Sequence, residues 1–285
     1  MRGPALMLAG IGLFGLLDAN NKLLSAGHPV WQVLLVRFAA LLLAVWLARR
    51  IWPGWGGPLT TRFPRLHALR AVVMLGSAIC FFQAFSRLPL AEGYLVFFTS
   101  PFLVLLLSAW LLGERPRPAA WAWCAVGFGG VALGLAPGLA GAAGGPLLGY
   151  AYALGGTLCY SAVFILNRKL RGEPGIGRVL VWPSLLGLAV MAVPGVASWT
   201  APTALSLAQM LGNGLLVGAA TVALAEAFRH ADAARLAPFG YSGLVWSLGW
   251  DFLIWGLVPG GPMLAGAALV VFACIMSERA ATRPA

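Results

Sequence analysis

Charge is the scarcest property of this 285-residue sequence. Only 9% of its residues are charged, and only 8 of them are acidic. A soluble domain usually carries about 25% charged residues, so this chain lacks the charge that a water-exposed surface requires. Apolar residues make up 60% of the chain and recur in long runs from end to end. These facts exclude a soluble enzyme and a disordered chain, and they predict an integral protein that crosses the membrane several times.

Patterns that bind metals and phosphates are also missing. The 4 cysteines each lie in an apolar run and the 3 histidines are scattered, so no metal site is expected. No GxxxxGK[ST] sequence occurs, which excludes a nucleotide site of the ATP-driven kind. We therefore expect no cofactor. An intramembrane enzyme is not expected either, because Asp18 and Asp251, the two aspartates in apolar runs, have no catalytic motif around them.

Ten apolar segments are long enough to cross a bilayer, which takes roughly 20 residues in a helix. They are 4–25, 30–48, 68–88, 91–112, 119–137, 148–168, 177–196, 206–228, 234–257 and 261–277. The alternation of apolar and polar residues that is typical of membrane strands is absent from the sequence. The sequence therefore predicts an all-α integral membrane protein with ten transmembrane helices joined by short connections.

Basic residues cluster in alternate connections between these segments. With a cytoplasmic N-terminus, the cytoplasmic connections contain the basic groups at 49–70, 115–117, 168–178 and 229–235. The connections around 138–147, 197–205 and 258–262 contain no Lys or Arg. Because cytoplasmic loops are enriched in Lys and Arg, we expect both termini in the cytoplasm. The net charge of +11 thus indicates orientation in the membrane, and nucleic-acid binding is not expected.

The two halves of the chain share short motifs. Asn20-Asn21-Lys22-Leu23 corresponds to Asn167-Arg168-Lys169-Leu170, and Ala84-Phe85 corresponds to Ala227-Phe228. Five helices per half is an odd number, so the halves, 4–137 and 148–277, must run in opposite directions across the membrane. Inverted repeats of this kind are typical of secondary transporters, whose substrate site lies between the halves near the membrane midplane.

The chain contains four further features in a fixed order: AFSRLPLA at 84–91, Pro101, LLGER at 111–115 and APFGYSGLVW at 237–246. With these features the sequence resembles a ten-helix bacterial member of the EamA-type drug/metabolite transporter superfamily. The resemblance implies two five-helix EamA-like repeats around a central cavity, and transport, commonly export, of small metabolites across the bacterial inner membrane. One position departs from the pattern. The family's glutamate, here Glu114, corresponds to Leu257 in the second half, so a symmetric role for that pair is not expected.

Few ionisable residues lie within the apolar segments, and each needs a partner, water or a function, because a charge there costs at least about 2.5–3.5 kcal/mol. Asp18 and Lys22 are four residues apart on the first helix. Either they form an ion pair at the membrane interface, or they line a polar cavity with Asn21, in which Asp18 attracts a cationic group.

Glu226 is the strongest single candidate for the substrate or coupling site. It lies deep in the eighth segment, and Gln83 holds the corresponding position in the third. We expect the two side chains to point into one cavity, where a buried glutamate could couple transport to protons. The alternative is that Glu226 pairs with Arg229 or His230 at the end of its helix.

Asp251 and the pair Arg87 and Glu92 are further candidates. Asp251 has no cation within a turn, so its partner must come from another helix. Arg37 is the candidate partner, and both a structural bridge and an ion or substrate site remain open. Arg87 and Glu92 flank the bend before the fourth helix, where we expect a loop ion pair or an outer gate.

Aromatic side chains complete the candidate site, since their rings can hold a flat or cationic solute. The candidates are Tyr94, Tyr160, Tyr241 and Trp246. Pro101 allows a kink in the fourth helix, which suits a helix that lines a cavity.

The sequence thus predicts a secondary transporter of a small polar organic metabolite such as an amino acid, vitamin, nucleoside or amine. We expect alternating access and export across the bacterial inner membrane; proton coupling and a homodimer remain open. The alternative is a flippase for a lipid carrier or an accessory subunit of a membrane complex, either of which predicts a groove open to lipid.

Overall fold

The computed structural model describes residues 2–113, 118–140, 145–170, 172–173, 175–230, 236 and 239–282. Over these ranges the chain contains helices and connections but no strand. The long helices are α1 (Arg2–Leu24), α2 (Val30–Ile51), α3 (Pro64–Phe85), α4 (Leu90–Phe97), α5 (Ser100–Leu112), α6 (Pro118–Ala140), α7 (Gly145–Lys169), α8 (Ile176–Ala197), α9 (Ala204–His230), α10 (Ser242–Trp255) and α11 (Gly261–Thr282). Glu114 and most of the segment before α10 lie outside the described residues.

The predicted all-α membrane fold is confirmed. Within the described ranges, 8 helical stretches are long and apolar enough to cross a bilayer, and α4 and α5 together form one of them. Of the last two predicted segments, 261–277 is a shorter apolar helix. The predicted segment 234–257 is represented by α10 and a few residues before it.

The fourth predicted segment is broken rather than kinked. α4 ends at Phe97 and α5 begins at Ser100, so Pro101 lies in the first turn of α5. Proline is favoured there because its missing N–H would have no helical partner anyway. Gly113 follows the last residue of α5, and Gly256 follows the last residue of α10. Both glycines have left-handed φ angles, of 66° and 65°, a conformation that glycine adopts without strain.

The helices pack in pairs that join the first half of the chain to the second. α1 packs along α9, α3 along α7, α2 along α8, and α6 along α11. Glycines permit close approach in these pairs. A Cβ atom on Gly214 would lie 2.7 Å from the carbonyl oxygen of Arg37, and one on Gly266 would lie 2.5 Å from that of Gly130. Small residues at helix contacts are common in membranes, where close packing drives helix association.

The two ends of the bundle are named here after residues that lie there. At the Lys22 end, α1, α3 and α10 finish and α2, α4 and α9 begin; at the Glu173 end, α2 and α7 finish and α3 and α8 begin. At both ends of the bundle, polar contacts join α2 or the connection after it to the residues that flank α8. At the Lys22 end, Gln32 Nε2 donates to the carbonyl oxygen of Thr200 over 2.7 Å, and the Thr200 N–H donates to Gln32 Oε1 over 3.0 Å.

At the Glu173 end, the connection after α2 binds the connection before α8. Glu173 accepts hydrogen bonds from Thr61 Oγ1 and the Arg62 N–H, both over 2.5 Å, and its side chain is buried. His67 Nε2 lies 3.1 Å from the same carboxylate. The Thr61 hydrogen bond is the largest of the interactions that hold the pKa of Glu173 at about 2, well below its ordinary 4.5. The carboxylate therefore stays charged at physiological pH, and the contact persists.

Candidate functional site

Asp18 of α1 and Tyr94 of α4 meet inside the bundle. The Tyr94 hydroxyl donates a hydrogen bond to Asp18 Oδ2 over 2.8 Å. Tyr94 is buried, whereas Asp18 is only half-buried. A carboxylate has about four lone-pair sites, so Asp18 retains acceptor capacity beyond this bond. The predicted alternative of an Asp18–Lys22 ion pair is wrong, because Tyr94 binds Asp18 and Lys22 turns to a different carboxylate.

Aromatic rings surround this contact. The Phe97 ring makes edge contacts with Tyr94 and Tyr160, at centroid distances of 6.1 and 5.0 Å, and Phe85 stacks on Tyr94 at 5.8 Å. Tyr160 belongs to the middle of α7 and is nevertheless 42% exposed. Its ring thus faces open space next to the cluster. Of the four aromatic candidates, Tyr94 binds Asp18 directly, and Tyr160 belongs to the ring cluster around that contact.

Arg37 of α2 is a buried cation near the Asp18–Tyr94 contact. It is 6% exposed, and its buried Nε atom has no hydrogen-bond partner among the described residues. The guanidinium lies 4.9 Å from the centroid of the Phe38 ring, and Asp18 is near enough for the two charges to attract each other. A buried donor without an acceptor is costly and rare in folded proteins. Arg37 therefore brings a positive charge and an unpaired donor to the neighbourhood of Asp18.

Asp251 binds the beginning of α4. Its two carboxylate oxygens accept hydrogen bonds from the N–H groups of Leu90, over 3.0 Å, and Ala91, over 2.8 Å. Lys22 Nζ lies 3.7 Å from Asp251 Oδ1 and donates to the carbonyl oxygen of Leu88 over 2.8 Å. The predicted pairing of Asp251 with Arg37 is therefore wrong. Free N–H groups at a helix N-terminus attract a carboxylate, and side-chain types do not reveal where such a terminus lies.

Asn21 lies in the contact between α1 and α9 and is buried there. Its Oδ1 atom accepts a hydrogen bond from Asn213 Nδ2 over 2.9 Å, and Asn20 Nδ2 donates to Asn213 Oδ1 over 2.7 Å. A related contact joins α3 to α7, where Arg70 Nε donates to Asn167 Oδ1 over 2.6 Å. Asn167 follows Asn20, and Asn213 follows Arg70, at the offsets of the motifs that the two halves of the sequence share.

Glu226 and Gln83 do not share a cavity, and that prediction is wrong. Glu226 forms the helix-end contacts of the alternative, 2.7 Å to Arg229 and 3.9 Å to His230. It also lines a cleft of about 440 Å³ with Leu6, near the start of α1. Gln83 instead binds Arg87 at the Lys22 end, over 2.9 Å. Inverted repeats put corresponding residues at equal depth only near the midplane, and these two lie near opposite ends.

Arg87 and Glu92 do not form the predicted ion pair. Arg87 binds Gln83 and lies 5.3 Å from the centroid of the Tyr152 ring. Glu92 accepts a hydrogen bond from the Tyr150 hydroxyl over 2.5 Å. The start of α7 thus supplies aromatic partners to both residues, which their spacing in sequence cannot indicate. A gating role for either residue stays a prediction.

Tyr241 and Trp246 pack against Phe98 and against α1. The Tyr241 ring is 5.9 Å from that of Phe98, at the break between α4 and α5. Trp246 packs against Gly12 of α1, where a Cβ atom would lie 3.0 Å from the indole. Among the described residues, no group of three or more His, Cys, Asp or Glu could hold a metal ion. The arrangement around Asp18 offers hydrogen bonds, charge and ring contacts, which are the means of binding a solute.

The chain is similar in sequence and in fold to known proteins. Residues 1–135 match the EamA-like transporter family. A riboflavin transporter from Rhizobium johnstonii is 30% identical over 96% of this chain and 89% of its own length. The pseudopaline exporter CntI of Pseudomonas aeruginosa is 28% identical over 93% of this chain and 92% of its own length. A crystal structure with 22% identity shares the fold, with a TM-score of 0.69 over 98% of this chain and 97% of that one.

The fold and these relatives define a multi-pass membrane transporter, not an enzyme. The chain belongs to the EamA-like transporter family.

Proposed function

We propose that the protein is a secondary transporter of a small organic solute that carries an amine, an acid group and a flat apolar part. The observation that carries this proposal is the buried guanidinium of Arg37, without a hydrogen-bond partner for its Nε atom in the described structure, next to the Asp18–Tyr94 contact. A carboxylate and a guanidinium that are near enough to attract each other match a zwitterion in charge. A solute with one net charge would leave one of the two groups without compensation.

In this proposal, each group of the site binds a different part of the solute. Asp18 accepts hydrogen bonds from the solute's ammonium group, and Arg37 donates to its carboxylate, a geometry for which guanidinium is well suited. Phe97 and Tyr160 contact the flat part through their rings, as aromatic side chains do in other binding sites. The open face of Tyr160 supports the idea that a solute reaches the cluster from the space beside α7.

We further propose that the chain consists of two inverted five-helix repeats that alternate in exposing this site. The packing supports the proposal, because the contact of α1 with α9 has its counterpart in that of α3 with α7. Gly113 and Gly256, which end α5 and α10 in the same backbone conformation, also correspond in the two repeats. The site lies between helices of both groups, as is usual for inverted-repeat transporters.

We assign the Glu173 end to the cytoplasm and propose export across the bacterial inner membrane. The assignment follows the basic residues, which cluster in the connections at that end. An exporter among the relatives supports the direction. Solute would then enter from the Glu173 end and leave at the Lys22 end.

A panel of solutes tests the proposed class on the purified protein in detergent. The panel contains the aromatic amino acids, the amines formed by removing their carboxylate and the acids formed by removing their amine. A ligand that binds only the folded state raises the melting temperature, by about 2.7 kcal/mol of added stability at 100 times its Kd. We expect a saturable rise with at least one amino acid and a smaller rise with its amine and acid. Equal rises with the amine or the acid alone, or no rise at all, would contradict the proposal.

A further inference from the structure

We infer that Lys22 and Asp251 form a latch that closes the Lys22 end of the transporter, and that α4 links this latch to the Asp18 site. The inference rests on the alternating access proposed above. It assigns to these two residues a positioning role in transport, distinct from solute binding.

α4 is a short helix held at two points by carboxylates of other helices. Asp251 of α10 binds the N–H groups of Leu90 and Ala91, which begin α4. One turn later, Asp18 of α1 binds the Tyr94 hydroxyl. α1 and α10 pack on each other, and α4 packs on both α10 and α7. The two carboxylates therefore hold α4 against α1 and α10 at the Lys22 end, and opening that end requires this boundary to part.

Lys22 compensates the charge of Asp251 and adds a third contact across the same boundary. Its ammonium group donates to the carbonyl oxygen of Leu88, in the connection just before α4, and lies 4.6 Å from the centroid of the Trp255 ring. Asp251 is buried, and a buried carboxylate without a cation would be strongly destabilised. Such pairs contribute little net stability, so a conformational role explains their presence better than a structural one.

Corresponding residues at the two ends differ in exposure. Phe85 at the Lys22 end is 2% exposed, whereas its counterpart at the Glu173 end, Phe228, is 53% exposed. Asn20 is buried, whereas its counterpart Asn167 is exposed. A symmetric arrangement would give each pair the same exposure. The Lys22 end is therefore closed in this structure relative to the Glu173 end.

Ser108 holds the position that corresponds to Asp251 in the first half, and its hydroxyl cannot supply a negative charge. The Glu173 end has a charged contact of a different kind, with 3.9 Å between Glu173 and Arg178. A solute amine that binds Asp18 shares the carboxylate with the Tyr94 hydroxyl and neutralises its charge, and so weakens one of the two anchors of α4. Solute binding from the Glu173 end thereby favours opening at the Lys22 end.

Thiol labelling of a buried reporter at the Lys22 end tests the latch. The reporter is Ala19→Cys, in a chain whose cysteines at 80, 124, 159 and 274 are replaced by alanine. Ala19 is fully buried, one residue after Asp18, in the same apolar cluster as Ala84 and Tyr94. A membrane-impermeant maleimide is added from the Lys22 side of membrane vesicles, and the labelling rate is measured.

We expect the double variant Lys22→Met/Asp251→Leu to label about ten times faster or more, as for the loss of one charge-assisted hydrogen bond. Removing both charges together avoids an unpaired buried charge, and Asp251→Asn, which keeps one acceptor oxygen, should give a smaller rise. Tyr94→Phe, which removes the second anchor, should also accelerate labelling. Ser86→Ala is the control, because Ser86 is exposed at the same end and binds only within its own helix end. Labelling of the latch variants at the parent rate would overturn the inference.

A charge swap distinguishes a latch, in which Asp251 binds α4, from an ion pair that only neutralises charge. Lys22→Asp/Asp251→Lys keeps two opposite charges, but a lysine cannot accept the N–H groups of α4. We expect labelling to stay fast, and restored protection would contradict the assigned role of Asp251. These labelling rates need no solute. A solute panel without any binder, together with fast labelling of the latch variants, would reject the proposed solute class and leave the latch standing.

Discussion

Asp18→Asn and Arg37→Gln should each weaken the binding of a different set of solutes in the panel. With Asp18→Asn, we expect Kd to rise about ten- to a hundredfold for an aromatic amino acid and for its amine, and to stay unchanged for its acid. With Arg37→Gln, the amino acid and its acid should weaken by a similar factor and the amine should not. Each variant removes one charge-assisted contact, which contributes about 1.5–3 kcal/mol. Calorimetry on the purified variants measures each Kd.

Glu226→Gln serves as the matched control for this pair. It also neutralises a carboxylate in an apolar segment, but Glu226 binds Arg229 at a helix end, away from the Asp18 contact. Binding of all three solutes should be unaffected. If Asp18→Asn weakened the acid as much as the amine, the variant would act through the fold and not through a contact with the amine.

Gly266→Val should largely abolish folded protein. A Cβ atom at Gly266 would lie 2.5 Å from the carbonyl oxygen of Gly130 and 2.6 Å from the nitrogen of Gly134. Both are backbone atoms of α6, so no side chain can move aside, and α6 and α11 would have to separate along their length. Overpacking costs about 1–3 kcal/mol where neighbours can adjust, and here they cannot. The yield of monodisperse protein in detergent and its melting temperature measure the effect.

Gly129→Val is the control for this substitution. Gly129 precedes Gly130 in α6, and a Cβ atom there would meet nothing within 4 Å. It imposes the same cost of valine in a helix without the close contact. Equal yields and melting temperatures of the two variants would show that the approach of α6 to α11 does not limit folding.

Hydropathy and charge were sufficient to predict the fold class. The apolar segments from 4–25 to 206–228 each correspond to a helix or, for 91–112, to the pair α4 and α5. The sequence predicts a kink at Pro101, and the structure has a break after Phe97 with Pro101 in the first turn of α5. Proline and long apolar runs act locally, so their effects can be deduced from neighbouring residues alone.

Partners across the bundle could not be deduced in the same way. Asp251 binds backbone N–H groups, which every residue except proline possesses, so no residue type indicates the contact. Arg37 was noticed as an isolated cation, but only the packing shows that it lies near Asp18. The shared offset predicts that Gln83 and Glu226 meet in one cavity. This prediction is wrong, because an offset between two halves contains no information on distance from the midplane.

Counterflow in proteoliposomes tests the central claim most directly, namely that this chain alone moves a zwitterionic solute through the Asp18 site. Vesicles containing only the purified protein are loaded with an unlabelled aromatic amino acid of the panel, and the radiolabelled form is added outside. We expect transient, saturable accumulation of label without ATP in the wild type, and none with Asp18→Asn. Absence of counterflow in the wild type for every amino acid of the panel, or equal counterflow in Asp18→Asn, would contradict the account.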